Sequence, residues 1–445
     1  MCLALALLLG CGDDDSPTDA GTDTAVDVAF DTSSDGMVDP DTETPDSGPE
    51  LGCDPPPTPP CDGEATGPGI LNEHVAGYFP DRKEMIIHGG NTAIPVMCGF
   101  PAWVYQETTW IYYDYTGECG GRWVEITGGP SPRGRHAGVA AGDAFYVYGG
   151  RFRTAGASSG SYTVLDDLWR FDATTRTWAE IEPVGDAAPS GRYNHSLVYE
   201  EANNRLWLYA GNASSSGATP IVLEDVWSFD IDSGAWTEHT PATVPPGRMW
   251  HAATFDQTRG QMVIWAGGDD GSFTTGDYHR DVWAYDVEAG DWSELHDGRG
   301  TAPDARFWGT LVHDTINDVY LSFAGHDNGG LGNRNDTWTF DPDTDQWSMV
   351  AMGDTFNSPA TGFCEFPADF ANVDLAMPER RNATSLVWSE SCGHSVLFGG
   401  KTDCGAINDV WFYDDAGWNV VFSSGLGEVC ARANGSVDGC SQMCF

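Results

Sequence analysis

From about residue 70 to residue 422, short runs of alternating apolar and polar residues are separated by clusters of Gly, Asp, Asn, Ser and Pro. A period of two turns one face of each run toward a core and the other toward solvent, so the runs predict strands rather than helices. One period reads as four strands: Ser196-Leu-Val-Tyr199, Arg205-Leu-Trp-Leu-Tyr209, Val226–Phe229, and one opening at Trp236. Asp230-Ile-Asp-Ser-Gly234, Asp286-Val-Glu-Ala-Gly290 and Asp341-Pro-Asp-Thr-Asp345 supply tight turns between the third and fourth strands.

A fixed phrase accompanies the strands. Asp167-Leu-Trp-Arg-Phe-Asp172, Asp225-Val-Trp-Ser-Phe-Asp230, Asp281-Val-Trp-Ala-Tyr-Asp286, Asp336-Thr-Trp-Thr-Phe-Asp341 and Asp409-Val-Trp-Phe-Tyr-Asp414 are each followed by a second tryptophan, and Trp110-Ile-Tyr-Tyr-Asp114 is a degenerate first copy. The second strand of each period ends in a small pair: Gly89-Gly90, Gly149-Gly150, Ala210-Gly211, Ala266-Gly267, Ala324-Gly325 and Gly399-Gly400. Such pairs suit a backbone that passes close to a neighbour, where a Cβ would clash. Six copies of a four-stranded unit predict an all-β, six-bladed propeller in which each repeat contributes its own four strands. The 55 glycines and 18 tryptophans, with no helix-forming stretches, agree with that class.

The chain outside the repeats reads differently. Residues 1–11 form an apolar run too short to span a bilayer, and Leu8-Leu9-Gly10-Cys11 resembles a bacterial lipobox. That resemblance implies acylation of Cys11, a membrane contact through the lipid anchor only, and a bacterial cell-envelope or outer-membrane location. Residues 12–62 are read as a disordered linker: 13 acidic and no basic residues up to Glu50, then a stiff Pro55-Pro-Pro-Thr-Pro-Pro60 collar. The propeller is placed at 63–424 and a short disulfide-rich tail at 425–445.

The layout of small pair, Asp-x-Trp-x-aromatic-Asp and second Trp resembles the kelch repeat, as do Gly191-Arg192-Tyr-Asn-His195 and Gly247-Arg248-Met-Trp-His251, which are similar to the Arg-x-x-His that opens many kelch blades. Leu71 replaces the arginine in the first repeat; Gly138, Gly309 and Thr384 stand at the histidine position in three others. The resemblance implies that Trp169, Trp227, Trp283, Trp338 and Trp411 are packing residues. Arg135, Arg192, Arg248, Arg306 and Arg381 are read as in phase, so the ring should gather them near one mouth of its channel. There they either clamp loop carbonyls and a carboxylate or receive an anionic ligand.

The resemblance permits a sugar-acid epimerase, for which His195 and His251 are the acid/base candidates, but no Gly-x-Ser-x-Gly, His-Glu-x-x-His or phosphate-loop pattern is present. The leading expectation is a monomeric recognition module for a protein, peptide or glycan, using variable loops on the mouth with Arg192, Arg248, Arg306, Tyr193, Trp250 and Trp308. No cofactor and no metal is called for. A net charge of −46 disfavours nucleic acid. Export would imply oxidised cysteines, and Cys53, Cys61, Cys98, Cys119, Cys364, Cys392, Cys404, Cys430, Cys440 and Cys444 are the disulfide candidates. With the blades in a ring, at least one bond is expected to cross between the first and last, Cys119–Cys392 or Cys98–Cys404.

Overall fold

In the computed structural model the described residues are 53, 63, 67–92, 104–115, 120–153, 161–216, 219–269, 271, 278–327, 329–359, 367, 369–402 and 405–422. They form six antiparallel blades of four strands each, with a short extra strand, Arg381–Asn382, on the sheet of blade six and two small two-stranded ribbons outside the blades. Blade one comprises Val75–Phe79, Glu84–His88, Thr109–Tyr113 and Trp123–Ile126; blade two Ala137–Ala141, Ala144–Tyr148, Leu168–Asp172 and Thr177–Ile181. Blade three comprises Ser196–Glu200, Arg205–Asn212, Val222–Asp230 and Ala235–His239; blade four Ala252–Asp256, Gln261–Trp265, Val282–Asp286 and Asp291–His296. Blade five comprises Thr310–Asp314, Val319–Phe323, Thr337–Asp341 and Gln346–Ala351; blade six Ser385–Ser389, His394–Thr402, Gly405–Asp414 and Gly417–Phe422. Within each blade the strands run in chain order, and each first strand lies beside the first strands of both neighbouring blades, so the circle closes.

The second tryptophan of each repeat joins the blades. Trp178, Trp236, Trp292, Trp347 and Trp418 each pack on the residue before the small pair of the preceding blade, respectively His88, Tyr148, Tyr209, Trp265 and Phe323, at centroid distances of 4.5 to 5.4 Å. Trp123 of blade one does the same to Phe398 of blade six at 5.0 Å. Large rings suit a wedge between tilted sheets because they cover much area with few torsions to fix. One hydrophobic cluster accordingly unites Leu71, Met85, Ile87 and Tyr112 with Val387, Val396, Phe398 and Val410 across the join. Backbone bonds Leu71 N to Ile407 O, 3.1 Å, and Gly400 N to Leu71 O, 2.9 Å, complete it.

The two members of the small pair have different reasons for being small. The first has φ between 57° and 66°, tolerable for alanine, and is Ala210, Ala266 and Ala324 in three blades. The second has φ from 93° to 108° and is glycine in all six, a region closed to residues with a Cβ. At Gly211 a Cβ would also stand 2.7 Å from that of His195. Gly211→Ala is therefore expected to lower stability by about 3 kcal/mol, which denaturant titration of the variant against the parent reads.

Two sequence expectations change. The first hairpin of blade two has only Gly142 and Asp143 between its strands, against four residues in blade three. This shortening moves the register by two, so His136 rather than Gly138 stands with His195 and His251, and Arg133 rather than Arg135 stands with Arg192. Cys392 is bonded to Cys53, not to Cys119. The bond ties the chain ahead of blade one to the turn between the first two strands of blade six, and Cys53 and Cys392 are the only cysteines among the described residues. Cys11, Cys61, Cys98, Cys119, Cys364, Cys404, Cys430, Cys440 and Cys444 lie outside them, as do the lipobox, the acidic linker and the tail. One disulfide among the described residues gives the disulfide-rich tail no support.

Candidate functional site

The four-residue phrase that opens each blade assigns one task to each position. The first is a clamp. All five N–H donors of Arg192 are used: Nε on Ser190 O, Nη1 on Ala210 O and Asp225 Oδ1, Nη2 on Ser190 Oγ and Asp225 Oδ2. Arg133 repeats this set with Asp167, and Arg248, Arg306 and Arg381 fork in the same way onto Asp281, Asp336 and Asp409. The same aspartate accepts the indole N–H two residues on, from Trp169, Trp227, Trp283, Trp338 and Trp411 at 2.7 to 2.8 Å. The Asp-x-Trp phrase is thus the receptor for the arginine of its own blade. Burial pushes the Asp225 carboxyl up, but hydrogen bonds and charge from Arg192 outweigh it and hold the group below the usual carboxylate range. Asp281 and Asp336 behave likewise. The four guanidinium groups of Arg192, Arg248, Arg306 and Arg381 are fully buried and do not line the central cavity.

The second position, Tyr193, Met249 or Phe307, bridges to the residue after the small pair. The fourth is a wedge: His136 Cε1 would stand 2.7 Å from a Cβ on Gly89, and His195 and His251 meet Tyr148 and Tyr209 edge-on across the blade boundary. Burial drives these imidazoles neutral, His74 and His251 to about 3 and His136 and His195 well below the usual value. His251 Nε2 meets Ser196 Oγ at 2.9 Å. The acid/base candidates His195 and His251 are therefore wall residues.

The third position faces the channel. Glu73, Arg135, Asn194, Trp250, Trp308 and Ala383 all have left-handed backbones, φ 50° to 62°. Their peptides form a belt: Trp308 N donates to Trp250 O, Trp250 N to Asn194 O, Asn194 N to Arg135 O, Arg135 N to Glu73 O and Glu73 N to Ala383 O, at 2.8 to 3.2 Å. The belt imposes the backbone, and such a backbone favours Gly or Asn; bulkier residues there cost about 1–2 kcal/mol each. Two tryptophans, an arginine and a glutamate are kept nonetheless.

These side chains, with His74, His136, His195 and His251, line a cavity of about 120 Å³. Arg135 Nη2 meets Glu73 Oε1 at 2.7 Å and lies 4.6 Å over the Trp308 ring. Burial pushes the Glu73 carboxyl up, while the charge and hydrogen bond of Arg135, with the charge of Arg151, hold it below its usual range. Asn194 is buried with neither amide atom hydrogen-bonded. At the rim, Trp250, Phe307, Trp308 and Tyr278 form an aromatic cluster with centroids 4.9 to 5.8 Å apart. Phe307, Trp308 and Tyr278 are partly exposed. On the other side Arg151 lies over Tyr162 and Tyr193, at 3.8 and 4.9 Å, and Arg153 over Tyr162 at 3.7 Å.

Of the residues singled out from sequence, Arg135, Trp250 and Trp308 meet at the mouth; Arg192, Arg248, Arg306 and Arg381 are brought into clamps, and Tyr193 is buried beneath Arg151. Glu73, Asn194, Phe307 and Tyr278 were not anticipated. For the first two the available signal was their place, two residues after the clamp position.

A family model for the KLHDC2/KLHL20/DRC7 Kelch-repeats domain matches residues 57–243 and 155–366. Similar proteins include the leucine-zipper-like transcriptional regulator 1 homolog of Drosophila melanogaster, 30% identical over 40% of this chain and 19% of its own, and Kelch domain-containing protein 2 of Bos taurus, 30% identical over 31% and 30%. An N-(sulfonatooxy)prop-2-enimidothioate sulfolyase of Thlaspi arvense is 26% identical over 55% of this chain and 70% of its own. The chain thus spans less than a third of the first two. These relatives are eukaryotic and none is a lipoprotein by name, which overturns the bacterial lipoprotein reading, the lipid anchor and the cell-envelope location. Most relatives bear kelch-domain names without an activity, so the balance is against an enzyme. With two overlapping matches that together reach across residues 57–366 and a closed ring of six blades, the chain belongs to the Kelch-repeats domain family.

Proposed function

We propose that the mouth of the channel binds an extended segment of a partner protein, with an apolar or aromatic side chain of that segment seated on Phe307, Trp308 and Tyr278 and its polar backbone groups meeting Arg135 and Asn194. The observation that carries this reading is the pair of tryptophans held at left-handed positions, where stability alone favours Gly or Asn. Aromatic anchors beside an arginine are the residues on which binding free energy concentrates. The residues that open the segments between second and third strands, among them Arg151, Asn212, Gly268 and His326, bridge to the residue before the channel position in their own blades, which suits a binding face on a rigid ring.

The test is selection of a displayed random-peptide library on the immobilised full chain, followed by titration of an enriched peptide against variants. Trp308→Gly should weaken binding by roughly thirtyfold, about 2 kcal/mol, with little change in folding stability because the relieved backbone offsets the lost packing. Ile316→Ser, at an exposed turn at the opposite end of blade five, should bind as the parent does. Equal affinity for all three proteins would remove the mouth as the site.

A further inference from the structure

We propose that the Cys53–Cys392 bond is the oxidised form of a zinc site, in which the two thiolates and the His394 imidazole hold one ion at the join between the first and last blades, with the Asp114 carboxylate beside that imidazole. The donor atoms of Cys53, Cys392 and His394 lie within 4.8 Å of one another. His394 Nε2 stands 3.1 Å from both oxygens of Asp114, so a carboxylate lies against the imidazole and adds negative charge beside the place of a cation. Tyr78 donates to Asp114 Oδ2 at 2.7 Å, and the His394 ring stacks on Phe412 at 4.1 Å. The imidazole is thereby held in place by contacts with Asp114 and Phe412. Asp114, Cys392 and His394 are buried, Cys53 half-buried.

Two sulfurs and one imidazole make a ligand set that zinc takes and that harder cations do not. The other cluster of like composition, Asp256, His313 and Asp318, differs in kind: the Arg259 guanidinium already bonds both carboxylates, at 2.8 to 2.9 Å, so its negative charge is met. At the join, by contrast, the Asp114 carboxylate meets Tyr78 and His394, and neither brings a fixed positive charge.

Interconversion balances simply. A dithiol reductant attacks the Cys53–Cys392 bond, is oxidised to its own disulfide, and leaves two thiols on the chain; zinc then displaces one proton from each sulfur. Either form ties the segment ahead of blade one to blade six, so the join stays fastened whichever way the cysteines are poised.

The test uses the full chain, purified with a phosphine reductant and supplied with zinc. Reduced parent protein should hold one more zinc per chain than Cys53→Ser, a subtraction that cancels any ion held by the other cysteines. Oxidised parent should lose that ion, and cobalt in its place should give thiolate-to-metal absorption in the parent but not in Cys53→Ser. Cys53 lies outside every blade strand, so this variant keeps the fold even where Cys392→Ser does not, and far-ultraviolet circular dichroism checks it. Equal zinc in reduced parent and Cys53→Ser would overturn the proposal.

Discussion

Arg381→Ala should destabilise the ring by about 3–5 kcal/mol, because it strands a buried carboxylate. Arg381 is fully buried and Asp409 is 8% exposed; the guanidinium also carries the Glu379 and Gly399 carbonyls, which would lose their donor in the same step. The loss is not the net worth of the ion pair. Replacing both partners by apolar residues, Arg381→Met with Asp409→Leu, should recover a large part of it, since the desolvation of both charges is then avoided. Urea titration of parent, single and double variants checks this. A single variant within 1 kcal/mol of the parent would mean that the clamp is not what fixes the blade opening.

Acid should unfold the protein at a pH set by histidine rather than carboxylate. His74, His88 and His251 are held at about 3, and His136 and His195 well below their usual value, by burial. Above the ordinary histidine value of about 6.5 the folded and unfolded states are both neutral at these sites and no penalty arises. Below it the unfolded chain binds protons that the native ring refuses, so each imidazole removes about 1.4 kcal/mol per pH unit until the folded value is reached. Five together reach up to about 7 kcal/mol per unit, comparable to the whole stability of a typical domain. Asp225, Asp281 and Asp336 have lowered values, so their contribution is present above the ordinary carboxylate value and is lost only as pH falls beneath it. The expected midpoint is therefore near pH 5, and His195→Leu should make the transition shallower by about one proton. A midpoint below about 4 would assign acid unfolding to the carboxylates instead.

Much of this was legible in the chain because repetition makes local signals additive. Alternation, the turn chemistry after each Asp-x-Trp phrase and the small pairs recur in phase, and together they specify six blades without reference to any long-range contact. What failed did so where one repeat changes length or where a partner lies outside the repeat. Arg133-Gly134-Arg135-His136 offers two arginines, and only the two-residue hairpin turn of blade two, a three-dimensional fact, says that the first is the clamp. Cys392 pairs with a residue ahead of the first blade, which no repeat register contains.

The mouth was half legible. Trp250 and Trp308 were identifiable as unusual residues in a phased position, yet the reason they matter is the left-handed belt, which depends on hydrogen bonds between blades and leaves no periodic mark. The separation of roles within Arg-x-x-His, clamp, bridge, channel and wedge, follows from that belt. It explains why the four in-phase arginines of blades three to six look like a binding ring in sequence and are structural in the fold. The lipobox resemblance failed for a different reason: a short motif has many chance occurrences, and neither a fold nor a relative supports it.

Hydrogen exchange of the full chain, with and without a selected peptide, tests the central claim most directly. Binding at the mouth predicts slowed exchange in the belt and its flanking segments, residues 134–136, 193–195, 249–251, 278–281 and 306–309, with the opposite turns at 201–204, 257–260 and 315–318 unchanged. Protection confined to those turns, with the belt unaffected, would contradict it.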